Sequence, residues 1–329
     1  MRLLMLGGTE FAGRAVVEDA LARGWDVTVL NRGRSEPPPG VTALRGDRTA
    51  PGGLDALAGG EWDAVVDTWS WAPSAVRDAA RALAGRAGRF VYVSSRSVHP
   101  IPSPPGAAED APLVAGSPDD ERGDDYATAK RGGELAALGA FGPDRTVLVR
   151  AGLILGPYEN IGRLPWWLTR IAEGGRVVAP GPRDLGLQYI DVRDLATWTL
   201  DAIEKQLSGP YNMVSAPGHT TMGELLEACI RATGADAQLV WTDPERILDA
   251  GIEPWTELPI WLPLGELYDT LHQSNVDRAL STGLRCRPVD ETVADTWAWL
   301  RAIGGRAPQR PDRPSPGLPR EKEARVLGA

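Results

Sequence analysis

Short apolar runs alternate with amphipathic stretches through the first half of the chain. The runs that predict buried strands are Arg2–Gly7, Asp26–Asn31, Val41–Asp47, Trp62–Thr68, Arg89–Ser95 and Arg145–Gly152. The stretches with helical spacing are Phe11–Arg23, Ser74–Ala87 and Asp124–Leu138. Because strands that alternate with helices are joined by right-handed crossovers, the pattern predicts an α/β fold with a doubly wound parallel sheet.

The alternation ends after Gly156, where proline, glycine and tryptophan become more frequent. This change predicts a smaller, partly interleaved C-terminal lobe that closes over the carboxyl edge of the sheet. The predicted units are a first domain of residues 1–155 with parts of 185–215, a lobe of residues 156–184 and 216–303, and a tail of residues 304–329. Gly304–Gly317 is rich in proline and arginine and is expected to wrap the surface or to be disordered. Asp194 is predicted to cap a helix.

Composition and charge argue against several classes of protein. No apolar run is long enough to cross a bilayer, and a net charge of −9 without massed arginines argues against a general nucleic-acid binder. Two cysteines, Cys229 and Cys286, provide neither a disulfide framework nor the spacing of a metal site. The chain starts directly in a predicted strand, without a basic leader and cleavage site, so we expect a cytoplasmic protein.

A glycine-rich turn joins the first predicted strand to the first predicted helix. Gly7 and Gly8 permit a tight turn, Gly13 lets the helix pack against the strand, and Thr9 offers a hydroxyl. This turn predicts a site for the pyrophosphate of a dinucleotide, held by the free N–H groups of the helix. Glu10 stands where such loops usually have glycine, so its carboxylate must point outward or pair with an arginine.

The second predicted strand ends in residues that favour NADP over NAD. NAD-binding proteins usually place an acid there to hold the ribose hydroxyls, whereas this chain has Asn31, Arg32 and Arg34. Because a guanidinium suits a 2′-phosphate, we expect NADP as the cofactor and NAD as the second choice. Asp47 lies where an acid can accept the adenine amino group. The alternative is that both arginines are solvated loop residues.

Tyr126 and Lys130 are the strongest catalytic candidates. Four residues apart on a helix, they share one face, and an ammonium near a phenol favours the phenolate. The chain has six tyrosines and three lysines, and random placement would give about 0.05 such pairs. Ser95, at the end of the fifth predicted strand, reaches the edge where open α/β sheets bind ligands. The alternatives are a surface Tyr–Lys pair and a serine that serves only the turn.

Motifs over most of the chain resemble those of the extended short-chain dehydrogenases/reductases of the NAD-dependent epimerase/dehydratase superfamily. The segments that carry the resemblance are GGTEFAG, VVDTWS, VYVSS, YATAK, GLILGPY and YIDVRDLA. The GGTEFAG and NRG variants are similar to an atypical branch that includes chloroplast stem-loop-binding proteins and bacterial reductase-like members. In that branch the position of Glu10 is often not glycine.

The resemblance implies a Rossmann-type fold, a nicotinamide cofactor and a catalytic serine, tyrosine and lysine. It assigns Ser95 to orient the substrate oxygen, Tyr126 to act as the acid/base, and Lys130 to stabilise the phenolate and hold the nicotinamide ribose. The predicted cofactor-binding residues are Gly7, Gly8, Thr9, Phe11, Gly13, Asn31, Arg32, Arg34, Asp47, Arg48, Thr68, Ser94 and Lys130. It also suggests a homodimer that pairs the helices Ser74–Ala87 and Asp124–Leu138.

The chain departs from the nucleotide-sugar enzymes of this superfamily. Sugar dehydratases carry an Asp–Glu pair after the catalytic hydroxyl, but Arg96 and Ser97 stand there, so dehydration is not expected. The usual VYG is VHP, which places His99 near the site, although a lone histidine is more often a hydrogen-bonded loop residue. The asparagine usual before the GP motif is missing in RAGLILGP. This weakens the case for a nucleotide-sugar substrate.

Twelve tryptophans predict aromatic walls around a substrate, with core packing as the alternative for several of them. Trp255 belongs to the covering lobe. The predicted substrate residues are Trp69, Trp71, Ser95, Arg96, His99, Tyr126, Trp166 and Gln188. Arg163 and Arg183 are candidates for binding an anionic group, although exposed arginine is the commoner outcome.

Three functions follow from these residues. The first is an NADP(H)-dependent oxidoreductase that moves a hydride between nicotinamide and a carbonyl or alcohol of a small aromatic or sugar-like molecule. The second is an epimerase that oxidises and re-reduces its substrate with the cofactor retained. The third is a non-catalytic nucleotide-sensing or RNA-binding scaffold, which the Tyr–Lys pair and the acidic balance disfavour.

Overall fold

A central parallel sheet and a smaller second lobe make up the computed structural model, which describes residues 1–328. The strands are β1 (Arg2–Leu6), β2 (Asp26–Asn31), β3 (Thr42–Arg45), β4 (Trp62–Asp67), β5 (Ala87–Ser95), β6 (Thr146–Ala151), β7 (Ile154–Leu155), β8 (Gly175–Pro180), β9 (Gly186–Leu187), β10 (Ile190–Asp191), β11 (Gly209–Met213), β12 (Thr220–Thr221) and β13 (Ala237–Thr242). The α-helices are α1 (Phe11–Ala22), α2 (Pro73–Leu83), α3 (Tyr126–Phe141), α4 (Arg163–Ala172), α5 (Val192–Glu204), α6 (Met222–Thr233), α7 (Pro244–Asp249), α8 (Glu266–His272), α9 (Asp277–Ser281), α10 (Val289–Ala302) and α11 (Arg320–Leu327).

The central sheet has seven strands in the order β11–β6–β5–β4–β1–β2–β3, and every neighbouring pair is parallel. The chain runs outward from β1 to β3 and then returns to place β4 on the other side of β1. In doubly wound sheets, ligands bind in the crevice outside the carboxyl ends of the strands at such a reversal. The predicted Rossmann-type α/β fold is therefore confirmed.

Helices cover both faces of the sheet, because its central strands are apolar on each side. On one face Val16 and Val17 of α1 and Trp198 of α5 pack against the strands. On the other face α2 and α3 supply the buried Leu83 and Phe141. The predicted helix Ser74–Ala87 is shorter in the structure and ends at Leu83, because Ala87 already begins β5.

A separate apolar core holds the second lobe together. It surrounds α4, α6 and α10 and includes the fully buried Trp167 and Trp261. The small parallel sheet of β8 and β13 completes this lobe. The prediction that Asp194 caps a helix was wrong. The cap of α5 is Asp191, whose side chain accepts a hydrogen bond from the Arg193 N–H, whereas Asp194 binds Arg287.

The C-terminal arm, residues 304–319, lies along the second lobe. Its Arg310 N–H donates to the Asn160 carbonyl over 3.0 Å, and its Gly317 N–H donates to the Thr256 carbonyl over 2.9 Å. Beyond the arm, α11 is anchored by Glu323, which is buried and accepts hydrogen bonds from Arg170. The arm is thus fixed to the lobe in the middle and at its end.

Two features are absent from residues 1–328. No helix there is both long enough and apolar enough to span a membrane. No cluster of three or more histidine, cysteine, aspartate or glutamate side chains is placed to bind a metal ion.

Candidate active site

A cavity of about 570 Å³ opens at the carboxyl edge of the central sheet. Its walls come from the loop after β1, the ends of β5 and β6, the first turns of α3 and α4, and the C-terminal arm. The predicted site residues that line it are Phe11, Gly13, Thr68, Ser94, Ser95, Arg96, Tyr126 and Lys130. The structure therefore brings Gly13 and the Ser–Tyr–Lys set into one cavity, whereas Gly7, Gly8 and Thr9 of the glycine loop do not line it.

The glycine loop can adopt its tight conformation only without side chains at its glycines. Gly7 and Gly8 have positive φ values of +111° and +88°, which favour glycine. A Cβ on Gly13 would lie 2.8 Å from the backbone nitrogen of Gly8, so the helix can approach the loop this closely only without one. The α1 helix begins at Phe11 with no side chain capping its first N–H groups. Open N–H groups at a helix start suit a phosphate.

Glu10 is held away from the helix N-terminus by the second lobe. Its Oε2 accepts a hydrogen bond of 3.0 Å from Asn160 Nδ2, and its Oε1 accepts one of 3.5 Å from Ser35 Oγ. The side chain makes no capping bond to α1. The carboxylate thus leaves the N–H groups of the loop available, although it remains in the cavity wall.

The residues predicted to bind the adenosine half of the cofactor lie outside the cavity wall. Asn31 Oδ1 accepts a hydrogen bond from the Gly33 N–H, and Arg32 and Arg34 are exposed without an ion pair to any described residue. Asp47 Oδ1 accepts from both the hydroxyl and the N–H of Thr49. These bonds to Thr49 lower the pKa of Asp47, with a smaller effect from the two arginines.

The Arg48 guanidinium already forms an ion pair with a buried carboxylate. It makes two hydrogen bonds of 2.7 Å to Asp67, which is fully buried, and it does not line the cavity. Thr68, next along the chain, lines the cavity beside the glycine loop, since a Cβ on Gly7 would lie 2.9 Å from its Oγ1. The predicted cofactor contact of Arg48 would require it to leave Asp67.

Tyr126 and Lys130 lie on the first turns of α3, which Asp125 caps by accepting a hydrogen bond from the Thr128 N–H. The Tyr126 hydroxyl makes no hydrogen bond within residues 1–328. Lys130 Nζ is buried and donates to the carbonyls of Trp69 and Val93, each over 2.7 Å. An ammonium has three donors, so one remains for a ligand. Burial lowers the pKa of Lys130 to about 7.

The two serines at the end of β5 differ in their surroundings. Ser95 Oγ accepts a hydrogen bond from the Ser97 N–H and lies 3.2 Å from Ser97 Oγ, so it caps the short helical turn that follows while still lining the cavity. Ser94 Oγ donates to Glu134 over 2.8 Å and is buried. Ser95 is therefore the hydroxyl with more freedom to contact a substrate.

A buried ionic network supports the cavity floor. Glu134 of α3 is fully buried and receives two hydrogen bonds from Arg150 of β6, of 2.8 and 3.1 Å, and one from Arg131. His99 belongs to this network and not to the cavity wall. Its Nε2 lies 3.4 Å from Arg150 Nη1, its Nδ1 lies 3.0 Å from the Pro112 carbonyl, and burial lowers its pKa. The network fixes α3 against the central strands.

Four other predicted substrate residues do not line the cavity. Gln188 is fully buried and bonds to the backbone of Ser215 and Ser274. Trp69 donates its Nε1–H to the Ala72 carbonyl. Trp71 is exposed and has the Arg310 guanidinium 5.9 Å from its ring. Trp166 contacts Gly317 of the arm, since a Cβ there would clash with its ring.

The arm contributes residues that the sequence reasoning missed. Arg310 and Arg313 line the cavity, together with Asn160, Arg163 and Trp255 from the second lobe. Arg163 had been a candidate for an anionic group, and Trp255 a member of the covering lobe. The proline- and arginine-rich composition of the tail gave no indication that it returns to the carboxyl edge of the sheet, more than 180 residues after Tyr126.

Comparison with known proteins agrees with this fold. Residues 72–214 match the family model described as NAD dependent epimerase/dehydratase family, which confirms the predicted superfamily and the prediction of an enzyme. No curated protein matches the sequence.

Several solved structures share the architecture. A protein from Burkholderia cenocepacia J2315 has 22% identity and a TM-score of 0.69, covering 92% of this chain and 98% of its own. The enzyme WbmH of Bordetella bronchiseptica, in complex with NAD+, has 20% identity and a TM-score of 0.65, covering 92% and 99%. The UDP-glucose 4-epimerase of Thermus thermophilus, in complex with NAD, has 23% identity and a TM-score of 0.62, covering 92% and 99%. At these identities the likeness supports the fold.

Proposed function

We propose that this member of the NAD-dependent epimerase/dehydratase superfamily is an NADP(H)-dependent oxidoreductase that acts on the carbonyl or alcohol of a small molecule. One observation carries the proposal: the unbonded hydroxyl of Tyr126 and the buried ammonium of Lys130 share a single cavity with an uncapped helix N-terminus. In a Tyr–Lys pair on the surface, the lysine would not be buried and no uncapped helix N-terminus would share a cavity with the two residues.

The loop between β1 and α1, together with the start of α1, suits the pyrophosphate of a dinucleotide. Gly8 and Gly13 let α1 pack closely against β1 and the loop between them, and the first N–H groups of α1 have no side-chain cap. NADP is preferred over NAD because β2 ends without an acid and carries the exposed Arg32 and Arg34. The solved neighbours named above contain NAD, so the choice between the two cofactors needs a direct measurement.

The protein residues supply the proton chemistry. A bound nicotinamide supplies the hydride for reduction of a carbonyl, or accepts it when an alcohol is oxidised. In reduction the Tyr126 hydroxyl gives its proton to the carbonyl oxygen, while Ser95 donates a hydrogen bond that holds this oxygen in place. Lys130 keeps a positive charge beside the phenolate that results, and its remaining N–H is free for the ribose.

The predicted domain division assigns the cofactor to residues 1–155 with parts of 185–215, and the substrate to the second lobe. The separate apolar cores of the central sheet and of the lobe support this assignment. The cavity lies where the two units meet, as expected for a reaction between two bound molecules.

The C-terminal arm favours a second candidate, an epimerase that retains its cofactor. Arg310 and Arg313 of the arm line the cavity, and the arm is fixed by its bond to Asn160 and by the buried Leu318. A cofactor beneath a fixed arm would exchange slowly, which suits an enzyme that oxidises and re-reduces one substrate. A reductase must instead exchange its cofactor in every cycle.

Turnover stoichiometry separates these candidates. The protein is incubated with a panel of ketones and aldehydes and NADPH carrying deuterium at the transferable position, and separately with the corresponding chiral alcohols and NADP+. In the first incubation we expect one NADPH to be consumed for each alcohol formed, with deuterium on the product carbon. In the second, an alcohol of inverted configuration without net formation of NADPH favours the epimerase. A product without deuterium, formed equally well by the Tyr126→Phe variant, contradicts both.

A further inference from the structure

We propose that Arg163 and Arg313 bind a negatively charged group of the substrate beside Tyr126, so that the C-terminal arm forms part of the substrate site. This inference rests on the proposed function, because it takes Tyr126 as the reacting group. It narrows the substrate to carbonyl or alcohol compounds that carry a carboxylate or a phosphate.

Arg163 is a cavity residue whose guanidinium forms no salt bridge with a described residue. It opens α4, and no described carboxylate lies within 4.0 Å of its guanidinium, which donates no hydrogen bond to residues 1–328. The nearest acid along the chain, Glu159, is fully buried and accepts the N–H groups of Arg163 and Leu164 instead. The Arg163 guanidinium lies 5.2 Å from the Trp255 ring, which holds it at the cavity wall. An unpaired, partly desolvated guanidinium gains most from an anionic ligand.

Arg313 approaches the same place from the arm. Its guanidinium lies 5.0 Å from the centre of the Tyr126 ring, and its side chain is 40% exposed. The only described carboxylate near it is Asp312, at 3.7 Å, and Asp312 already receives two hydrogen bonds from Arg310. Arg313 therefore has donors left for a ligand next to the phenol.

The cavity wall as a whole is cationic, although the chain carries a net charge of −9. The basic side chains in the wall are Arg96, Lys130, Arg163, Arg310 and Arg313, and the acidic side chain is Glu10, which Asn160 holds. Arg96 is buried, donates to the carbonyls of Thr270 and Leu271, and has no carboxylate within 4.0 Å. Like charges gathered in a cavity repel one another, and a bound anion relieves that repulsion.

The position of Arg163 and Arg313 indicates that they bind the substrate and not the phosphates of the cofactor. A pyrophosphate is expected at the start of α1, where Glu10 and Asn160 form the neighbouring wall. Arg313 lies instead over the ring of Tyr126, whose hydroxyl the oxygen of the reacting substrate must approach. Arg310 bonds to Asn160 through its backbone, and its guanidinium lies 5.9 Å from the Trp71 ring and pairs with Asp312.

Calorimetric titration of small probes tests the pair. The full chain, saturated with NADPH, is titrated with benzoate and phenyl phosphate as anionic probes and with benzamide as a neutral one. We expect both anions to bind at least about tenfold more tightly than benzamide, as charge-assisted hydrogen bonds allow. Arg163→Ala and Arg313→Ala should each weaken anion binding about tenfold and leave benzamide unaffected.

A third arginine of the arm provides the matched control. Arg306 is exposed and outside the cavity wall, so Arg306→Ala should bind all three probes like the parent chain. The NADPH affinity of each variant is measured in parallel. Equal binding of benzamide and the anions overturns the inference, as does failure of both anions to bind at about 10 mM. Loss of NADPH affinity in Arg313→Ala with unchanged anion binding also overturns it, and assigns the residue to the cofactor.

The proposed function and the anion site can be rejected independently of each other. If the parent chain binds neither NADPH nor NADH, the probes are titrated into the cofactor-free chain. Anion binding that depends on Arg163 and Arg313 would then retain the anion site while the oxidoreductase is rejected.

Discussion

Replacing Tyr126 with phenylalanine is expected to lower kcat by about 10²–10⁴-fold, the usual contribution of a positioned acid or base. The variant loses only the hydroxyl, which makes no hydrogen bond within residues 1–328, so the fold should keep its stability. The ring that packs beneath Arg313 remains. Affinity for the cofactor should change little, because Lys130 and the glycine loop are untouched.

The expected loss follows from proton balance. Reduction of a carbonyl leaves an oxyanion unless a proton reaches the oxygen, and Tyr126 has a free hydroxyl in the cavity, on the same helical face as Lys130. Ser95 holds the oxygen by a hydrogen bond, but it lies at the end of β5 and does not share the helical face of Lys130. The measurement is a comparison of kcat and of the dissociation constant for NADPH in the parent chain and the variant.

Tyr158 offers the matched control for this experiment. It packs against Arg14 and Trp299, outside the cavity wall, so Tyr158→Phe should retain kcat within about twofold. Equal losses in the two variants, or full activity in Tyr126→Phe, would remove Tyr126 from the acid/base role.

The second large effect is on stability: Arg150→Met is expected to lower the free energy of unfolding by about 3 kcal/mol. Arg150 and Glu134 are almost completely buried and joined by two hydrogen bonds. Without the guanidinium, Glu134 stays buried with help only from Ser94 and Arg131. An uncompensated buried carboxylate is costly, whereas methionine fills most of the vacated volume and adds little strain.

Urea unfolding followed by circular dichroism measures this difference. The control is Arg231→Met, which removes an ion pair with Asp290 whose side chains are both more than half exposed. Exposed pairs contribute less than about 1 kcal/mol, so this variant should unfold near the parent midpoint. An Arg150→Met variant as stable as Arg231→Met would show that the network does not support the cavity floor.

Local chemistry explains which parts of the site the sequence predicts. Gly7, Gly8 and Gly13 are readable because the turn they form depends on backbone freedom within a few residues. Tyr126 and Lys130 are readable because helical spacing alone puts them on one face. Both groups lie in segments whose apolar pattern fixes their place in the fold, and Gly13, Tyr126 and Lys130 line the same cavity.

The rest of the site depends on contacts between distant segments. Nothing near Glu10 reveals that Asn160 holds its carboxylate, and nothing near Arg313 reveals the ring of Tyr126. His99 has the side chain of a catalytic residue, but its partners Arg150 and Pro112 place it in a buried network. Such arrangements arise from tertiary packing, which short sequence motifs do not predict.

Lys130 links cofactor binding to pH. Burial lowers its pKa to about 7, so above pH 7 the free chain carries it mainly as the neutral amine. The phosphates of a bound cofactor and a hydrogen bond to the ribose favour the ammonium and raise the pKa toward its ordinary value. Binding at pH 8 should therefore take up most of one proton at this residue, and binding at pH 6, where the ammonium is already present, should take up much less.

Calorimetric titration of the chain with NADPH, at both pH values and in two buffers of different ionisation enthalpy, tests the central claim most directly. We expect a dissociation constant of about 1–100 μM and uptake of most of one proton at pH 8, an uptake that the Lys130→Met variant lacks. NADH should bind more weakly. Absence of binding by either nucleotide at about 1 mM, or binding whose proton uptake is the same in Lys130→Met, would contradict a nicotinamide site built around Tyr126 and Lys130.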